Sequence, residues 1–276
     1  MRRNASLLLS LSLTLAAVVL LSAACGGGGG NKSSAKAKTT TKGKLVFCSD
    51  ITYPPEEFYK GSKPVGSDIE IGSEIAKRSG KTAVFDNTGF DGIIPALLSK
   101  KCDAIISGMN DTPERRKQVD FVDYLSVGQS FMVRKGNPEH ITSITSLAGK
   151  SASVETGTTN KDYLDAQSKK LQSQGKKAIN VTTFPKDTDA ANALKTGKVD
   201  AYFGDSPVVA YYISQDPSSF AFGGNPVNPI PVGIAVRKND KQLSSAIQTA
   251  VNKMYADGTM KRILAKWKMS DFAMKK

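Results

Sequence analysis

The chain has 276 residues, 39% hydrophobic and 23% charged, with only three cysteines. That is the composition of a folded protein with room for two ordinary domains; it excludes a mostly disordered chain, a collagen and a disulfide scaffold. A formal charge of +13 hints at nucleic acid, but residues 1–43 hold six bases and no acid, leaving 32 bases against 25 acids elsewhere. The remaining excess is weak support for nucleic acid and fits a solvated or anion-facing exterior.

Arg2 and Arg3 precede an apolar run over residues 7–21, then the small residues Ser22, Ala23 and Ala24, then Cys25. A charged start, a short apolar core and small residues before a cut describe an export signal over 1–24. The competing reading is a retained membrane helix, because residues 5–24 nearly reach the length of a bilayer span. The placement of Cys25 resembles the lipobox of bacterial lipoproteins, whose cysteine is lipidated and becomes the mature N-terminus. Ser22 stands where that pattern usually has Leu. The expectation is a lipid anchor at Cys25 on the outer face of the cell membrane, with residues 25–43 as a flexible glycine- and lysine-rich tether. No strand precedes the glycine run and no GK[ST] follows it, so it is not a phosphate loop.

From Lys44 onward strand and helix signals alternate. Residues 45–48 form a short apolar run ending near Asp50, and Pro54-Pro55 breaks the chain into a loop. Ile71 and Ile75, four apart, predict a helix over 67–78 that stops near Gly80. Residues 92–99 read as a short helix with Pro95 near its start, and 103–107 as a buried strand of the parallel kind. Near the end, Leu243, Ile247, Ala250, Val251 and Met254 fall on one helical face. The alternation predicts an α/β architecture with parallel strands. Cys48 and Cys102 belong to an exported chain and are able to pair in principle. If their strands run parallel, however, the offset is about three residues or ~10 Å, which favours two buried free thiols.

Two stretches echo each other. PALLSKKCDAIISG (95–108) and NALKTGKVDAYFGD (192–205) align at a constant offset, each a helix, a basic turn and a strand ending in small or polar residues. A weaker echo sets Asp50, after LVFCS, opposite Glu155, after SASV. Chance similarity of short helix–strand units is the bland account; two similar lobes is the sharper one. Ligands sit beyond the carboxyl ends of parallel strands, so the residues to inspect are Asp50, 107–110, 155–159, Gly204 and Asp205.

At these positions the chain resembles the polar amino-acid family of solute-binding proteins of bacterial ABC importers. The resemblance runs through SDITYPPEEF, VGSDIEI, FDGIIPALLSKKCDAIISGMNDTPERRKQVDF, ETGTTNKDYL, GKVDAYFGDSPVVAYY and DGTMKRILAKW, in that order. It implies the two-lobed periplasmic binding protein-like fold of type II, with the ligand cleft between the lobes. Lobe 1 is then 44–126 plus 231–276, lobe 2 is 127–230, and the hinge lies near 125–129 and 228–232. By the same resemblance Arg115 is the clamp for the ligand's carboxylate, a role its planar fork suits. Asn110 stands where many relatives have Ser or Thr; Gly108, Thr158 and Thr159 offer backbone groups and hydroxyls; Asp205 holds the ammonium; Tyr53 and Phe90 wall the side chain. Each has a structural alternative: Arg115 as a surface ion-pair partner with Arg116 turned inward, Asp205 as a helix cap, the aromatics as core, the threonines as turn residues.

Asp50 and Glu155 match positions that point toward the ligand's side chain, and Glu56 replaces the aromatic of the family's PPFEF. Several acids around one pocket favour a cationic amino acid such as arginine, lysine or ornithine. If Glu155 and Glu56 instead face solvent or lysines, glutamine or another neutral polar amino acid is the runner-up. No metal-ligand cluster, nucleotide motif or nucleophile–base pair appears, and the sole histidine, His140, sits in a loop; no cofactor, metal or catalytic residue is expected. The enzyme rival is a cyclohexadienyl dehydratase on the same fold, with Glu155 aimed at a leaving hydroxyl. A third reading is a sensor module presenting its ligand to a receptor. The expected partners are a permease and ATPase, no nucleic acid, and the protein itself is expected to be monomeric.

Overall fold

The computed structural model of the protein describes residues 39–274. The export-signal segment, Cys25 and the tether up to residue 38 lie outside the described residues. The first strand, β1 (Lys44–Ser49), is buried at every position after its first residue, as an apolar run covered on both faces must be. A small antiparallel sheet follows, made of β2 (Thr52–Tyr53), β3 (Glu57–Lys60) and β4 (Lys63–Val65). Helix α1 (Ser67–Arg78) buries Ile71 and Ile75 and ends with Gly80 in the left-handed region, as its spacing predicts. Strand β5 (Thr82–Asn87), helix α2 (Ile93–Leu98), the two-residue β6 (Ala104–Ile105), the short α3 (Pro113–Arg116) and the long β7 (Val119–Arg134) come next.

The second alternating run is β8 (Ser151–Glu155), α4 (Thr159–Ser173), β9 (Asn180–Phe184), α5 (Asp187–Lys195), β10 (Ala201–Asp205) and α6 (Ser206–Gln215). Strands β11 (Phe220–Phe222) and β12 (Val227–Arg237) lead to helices α7 (Lys241–Ala256) and α8 (Thr259–Lys266). Helix α7 buries Leu243, Ile247, Ala250, Val251 and Met254, the apolar face its spacing predicts. Among the described residues no helix is long and apolar enough to cross a membrane.

The main sheet runs β5-β1-β6-β12-β7-β10-β8-β9, with β11 also paired to β7. Strand β1 lies parallel to β5 and β6, and β8 lies parallel to β9 and β10. Between these two parallel groups run β7 and β12, paired antiparallel along most of their length. The expected α/β architecture with parallel strands is therefore present twice. The antiparallel pair that joins the two groups carries no alternation signal of its own.

The internal echo has a physical basis. Helix α2 leads into β6 and α5 into β10, and each strand is preceded by an Asp. The Asp103 N–H donates to the Val46 carbonyl at 2.8 Å while its carboxylate accepts the Val46 N–H at 2.8 Å. Asp200 repeats this with Ser151, donating to its carbonyl at 3.1 Å and accepting its N–H at 2.8 Å. In both groups the Asp ties the incoming strand to the start of its neighbour, which is why DA recurs.

The expectation of free thiols is overturned: Cys48 and Cys102 form a disulfide, with their Cα atoms 5.6 Å apart. Cys102 precedes β6, in the turn where Lys100 adopts a left-handed conformation. The extended rise per residue that underlies the ~10 Å offset does not apply in that turn, so the chain folds back over Cys48.

Candidate functional site

The carboxyl ends of β1, β6, β8 and β10 deliver Asp50, the 107–110 turn, Glu155 and Asp205, and the structure brings all four together with residues from the loops beside them. A small cavity is lined by Tyr53, Phe90, Gly108, Asn110, Glu155 and Thr158, together with Asn160. The other expected residues, Asp50, Arg115, Thr159 and Asp205, each bond or stack on a member of that lining.

Asn110 is the junction. Its amide N–H donates to the Asp205 carboxylate at 3.1 Å, and its amide oxygen accepts the Thr159 hydroxyl at 2.6 Å. The Asp205 backbone N–H in turn donates to the Tyr53 hydroxyl at 3.3 Å. Arg115 packs its guanidinium 5.3 Å from the centre of the Phe90 ring. One arm of its fork donates to the Asn110 carbonyl at 2.7 Å and the other to the Gly157 carbonyl at 3.1 Å. It is held between the two halves of the site by neutral acceptors only. Arg116, not Arg115, is the surface residue: it pairs with Asp111 and Asp123.

Helix starts position the threonines. Thr158 caps α4, accepting the Lys161 N–H at 3.2 Å, and its hydroxyl donates to the Glu155 carbonyl at 2.8 Å. It therefore serves the helix even while it lines the cavity. Asp205 occupies the cap position of α6 but makes no cap bond there. Its carboxylate turns instead to the amides of Asn110 and, at 3.3 Å, Asn160. Gly108 stands at φ +48°, where a Cβ would meet the Tyr53 ring at 3.0 Å, so only glycine lets this turn lie against that aromatic.

The site is strongly acidic. Asp50, Glu56, Glu155, Asp187 and Asp205 are each at most 3% exposed, so Glu56 and Glu155 do not face solvent. Burial raises the pKa of Asp205 to about 6, against the opposing pull of Asn110, Asn160 and Arg115. Burial also raises Asp187 to about 7, although the Tyr202 and Tyr212 hydroxyls donate to it. Glu155 is pushed well above the usual carboxylate range by burial and then by the charges of Asp187 and Asp50. Asp50 has its own donors, the Thr52 hydroxyl at 2.7 Å and the Phe90 N–H at 2.8 Å. Among the described residues the Oε1 atom of Glu155 has no partner.

Asn160, Asp187, Glu57 and Asp68 belong to the site or its support and are absent from the residues singled out by sequence, whereas Ser107 lies in the 107–110 turn singled out there. Asn160 lies one position past the threonine pair, on the first turn of α4, which was the available signal. Among the described residues no group of His, Cys, Asp or Glu is arranged to hold a metal ion.

The fold is shared with known proteins. Residues 45–270 match the family described as bacterial extracellular solute-binding proteins, family 3. The chain is 31% identical over 229 residues to the ABC transporter arginine-binding protein 1 of Escherichia coli (strain K12), covering 81% of this chain and 90% of that protein. An ancestral arginine-binding protein bound to arginine superposes with a TM-score of 0.76 at 38% identity, covering 82% of this chain and 98% of that one. An ancestral arginine-binding protein bound to glutamine gives a TM-score of 0.76 at 37% identity, over 83% and 99% of the two chains.

Proposed function

The chain belongs to the bacterial extracellular solute-binding proteins, family 3, and from that premise we propose that it captures a free amino acid with a cationic side chain for an ABC importer. The observation that carries the reading is the buried acidic end of the cavity, where Glu155 presents an unpartnered oxygen beside Asp50 and Asp187. An unpaired buried carboxyl costs about 1–3 kcal/mol or more, and a guanidinium or ammonium entering the cavity removes that cost. The ligand's carboxylate falls to Arg115, whose present neutral acceptors are weaker partners than an anion. Its ammonium falls to Asp205, and its side chain lies between Tyr53 and Phe90 and runs toward Glu155.

Lobe 1 (44–126 and 231–276) and lobe 2 (127–230) then close by bending where β7 and β12 cross. Support for that hinge comes from the interruptions in their pairing between Val227 and Ile230 and between Val232 and Gly233. Arg115 and Asp205 come from different lobes, so only the closed form satisfies both ends of the ligand, and the closed shape is what a permease reads. The leader-like segment 1–24 and Cys25 support export and attachment to the outer face of the membrane through a lipid.

Glutamine is the second reading, favoured by the burial that pushes Glu155 well above the usual carboxylate range, since a neutral carboxyl can donate to a side-chain amide. A raised Glu155 beside a cavity also suits a general acid, which keeps a dehydratase within reach of test. The test is native mass spectrometry of the purified protein, followed by a thermal-shift panel of the common amino acids. Arginine, lysine or ornithine should co-purify and give the largest shifts. A largest shift with glutamine discards the acidic-end argument. Turnover of prephenate or arogenate, with no shift by any amino acid, makes the protein an enzyme.

A further inference from the structure

Behind the cleft wall lies a second set of carboxyl groups. Glu57, the first residue of β3, is wholly buried, and its Oε1 accepts the Ser107 hydroxyl at 2.8 Å. The same Ser107 oxygen accepts the Asp50 backbone N–H at 2.8 Å. Asp68, in the first turn of α1 and equally buried, accepts the Gly108 N–H at 2.9 Å. It also accepts the Tyr124 hydroxyl, which lies 2.7 and 2.6 Å from its two oxygens. The Glu57 and Asp68 carboxyl groups lie within each other's reach, and the Glu57 Oε2 atom has no other partner among the described residues.

Two carboxyl groups in contact attract only if one carries a proton. Asp68 has donors suited to its ionised form, from Gly108 and Tyr124. Glu57 has a single donor, Ser107, and faces acids on most sides. Asp68 approaches it from α1, Glu56 from its own strand's entry, and Asp50 from the end of β1; Tyr124 of β7 completes the surround. Burial, followed by the charges of Asp68 and Glu56, raises the Glu57 pKa well above the carboxylate range, in keeping with that arrangement.

We infer that Glu57 is a positioning residue for the ligand cleft: as a neutral carboxylic acid it donates its proton to Asp68, and the pair pins the Ser107–Gly108 turn and the Asp50 amide into the cleft wall. Ser107 carries the link to Asp50, and Asp68 carries the link to Gly108, whose backbone lies against Tyr53. Three lining or flanking residues of the site thus hang on one shared proton. Ionising Glu57 sets two carboxylates against each other directly behind them. The inference rests on the amino-acid reading only for its binding readout.

The test compares Glu57→Gln, which keeps an N–H toward Asp68 and an oxygen toward Ser107, with Glu57→Leu, which fills the space with neither. The infrared spectrum of the ligand-free intact chain at neutral pH should contain a protonated-carboxyl C=O band that disappears in Glu57→Gln. Arginine affinity should stay within about threefold in Glu57→Gln and fall by about tenfold or more in Glu57→Leu. An unchanged carboxyl band in Glu57→Gln overturns the inference, even if no amino acid binds the wild-type protein or Glu57→Leu does not fold. A loss of affinity in Glu57→Gln as large as that in Glu57→Leu overturns it as well.

Discussion

Two sets of carboxyl groups lie within this molecule, equally dehydrated and differently equipped. Glu57 and Asp68, behind the cleft, receive donors from Ser107, Gly108 and Tyr124 and satisfy each other with a shared proton. Glu155, at the cavity, is raised by burial and then by the charge of Asp187, and among the described residues its Oε1 atom has no partner. An acid that the protein's own donors satisfy is part of the scaffold. An acid left unsatisfied against a cavity is a demand on whatever enters it. Burial alone does not distinguish the two; what the unpartnered oxygen faces does, a second carboxyl group at Glu57 and the cavity at Glu155.

The largest effect should come from the residue that serves every amino acid alike. Arg115→Ala should abolish binding of cationic and neutral amino acids together, by about 3–5 kcal/mol if the ligand carboxylate is left buried and unpaired. Its thermal midpoint should stay near that of the wild type. Near-native affinity in titration calorimetry would remove Arg115 from the site.

On the scaffold side, the disulfide ties β1 to the turn before β6, the two strands from whose ends Asp50 and Ser107 depart. Replacing Cys48 and Cys102 by Ser should lower unfolding stability by about 4 kcal/mol, the chain-entropy value for a loop whose ends are 54 residues apart. Urea unfolding with and without reductant checks it, and a wild-type midpoint indifferent to reductant contradicts it.

The pH dependence sharpens the contrast further. Asp205 and Asp187 titrate in the folded protein at about 6 and about 7, above their ordinary value of 3.8. The folded state therefore holds protons that the unfolded state has released, and stability of the ligand-free protein should fall as pH rises from about 4 to 7, by on the order of a few kcal/mol. Asp216 and Asp257, held down to about 2 by Lys195 and Arg78, act below that window with the opposite sign. Arginine should flatten the curve by supplying a counter-charge. A ligand-free protein more stable at pH 7.5 than at pH 5 in thermal melts contradicts this account.

The smallest effect is the most selective. Glu155→Gln should weaken arginine by about tenfold, near 1.4 kcal/mol, while leaving glutamine unchanged or improved. Equal effects on both ligands, measured by competition, would take Glu155 out of the specificity argument.

The strand–helix alternation, the helix over 67–78 and the apolar face of α7 were legible because burial imposes a period on the sequence. Asp50, Glu155, Thr158, Thr159 and Asp205 were legible as polar residues at or just beyond strand ends, whereas Arg115 and Phe90 were picked out only through the family resemblance. The disulfide was not legible, because Cys102 sits in a turn before β6, where the rise of an extended strand does not hold. Glu57 and Asp68 were not legible either. In EEF and SDI they look like ordinary surface acids, and only tertiary packing brings Ser107, Gly108 and Tyr124 over them. Asn160 and Asp187 escaped for the same reason, as polar residues in the first turn of helices, where capping is the ordinary explanation.

The most direct test is isothermal titration of the protein, freed of bound ligand by unfolding and refolding, with arginine and then with glutamine. The account predicts tight binding of arginine and at least about tenfold weaker binding of glutamine, the discrimination expected of one buried counter-charge. Glutamine binding as tightly as arginine, or arginine not binding at all, would contradict it.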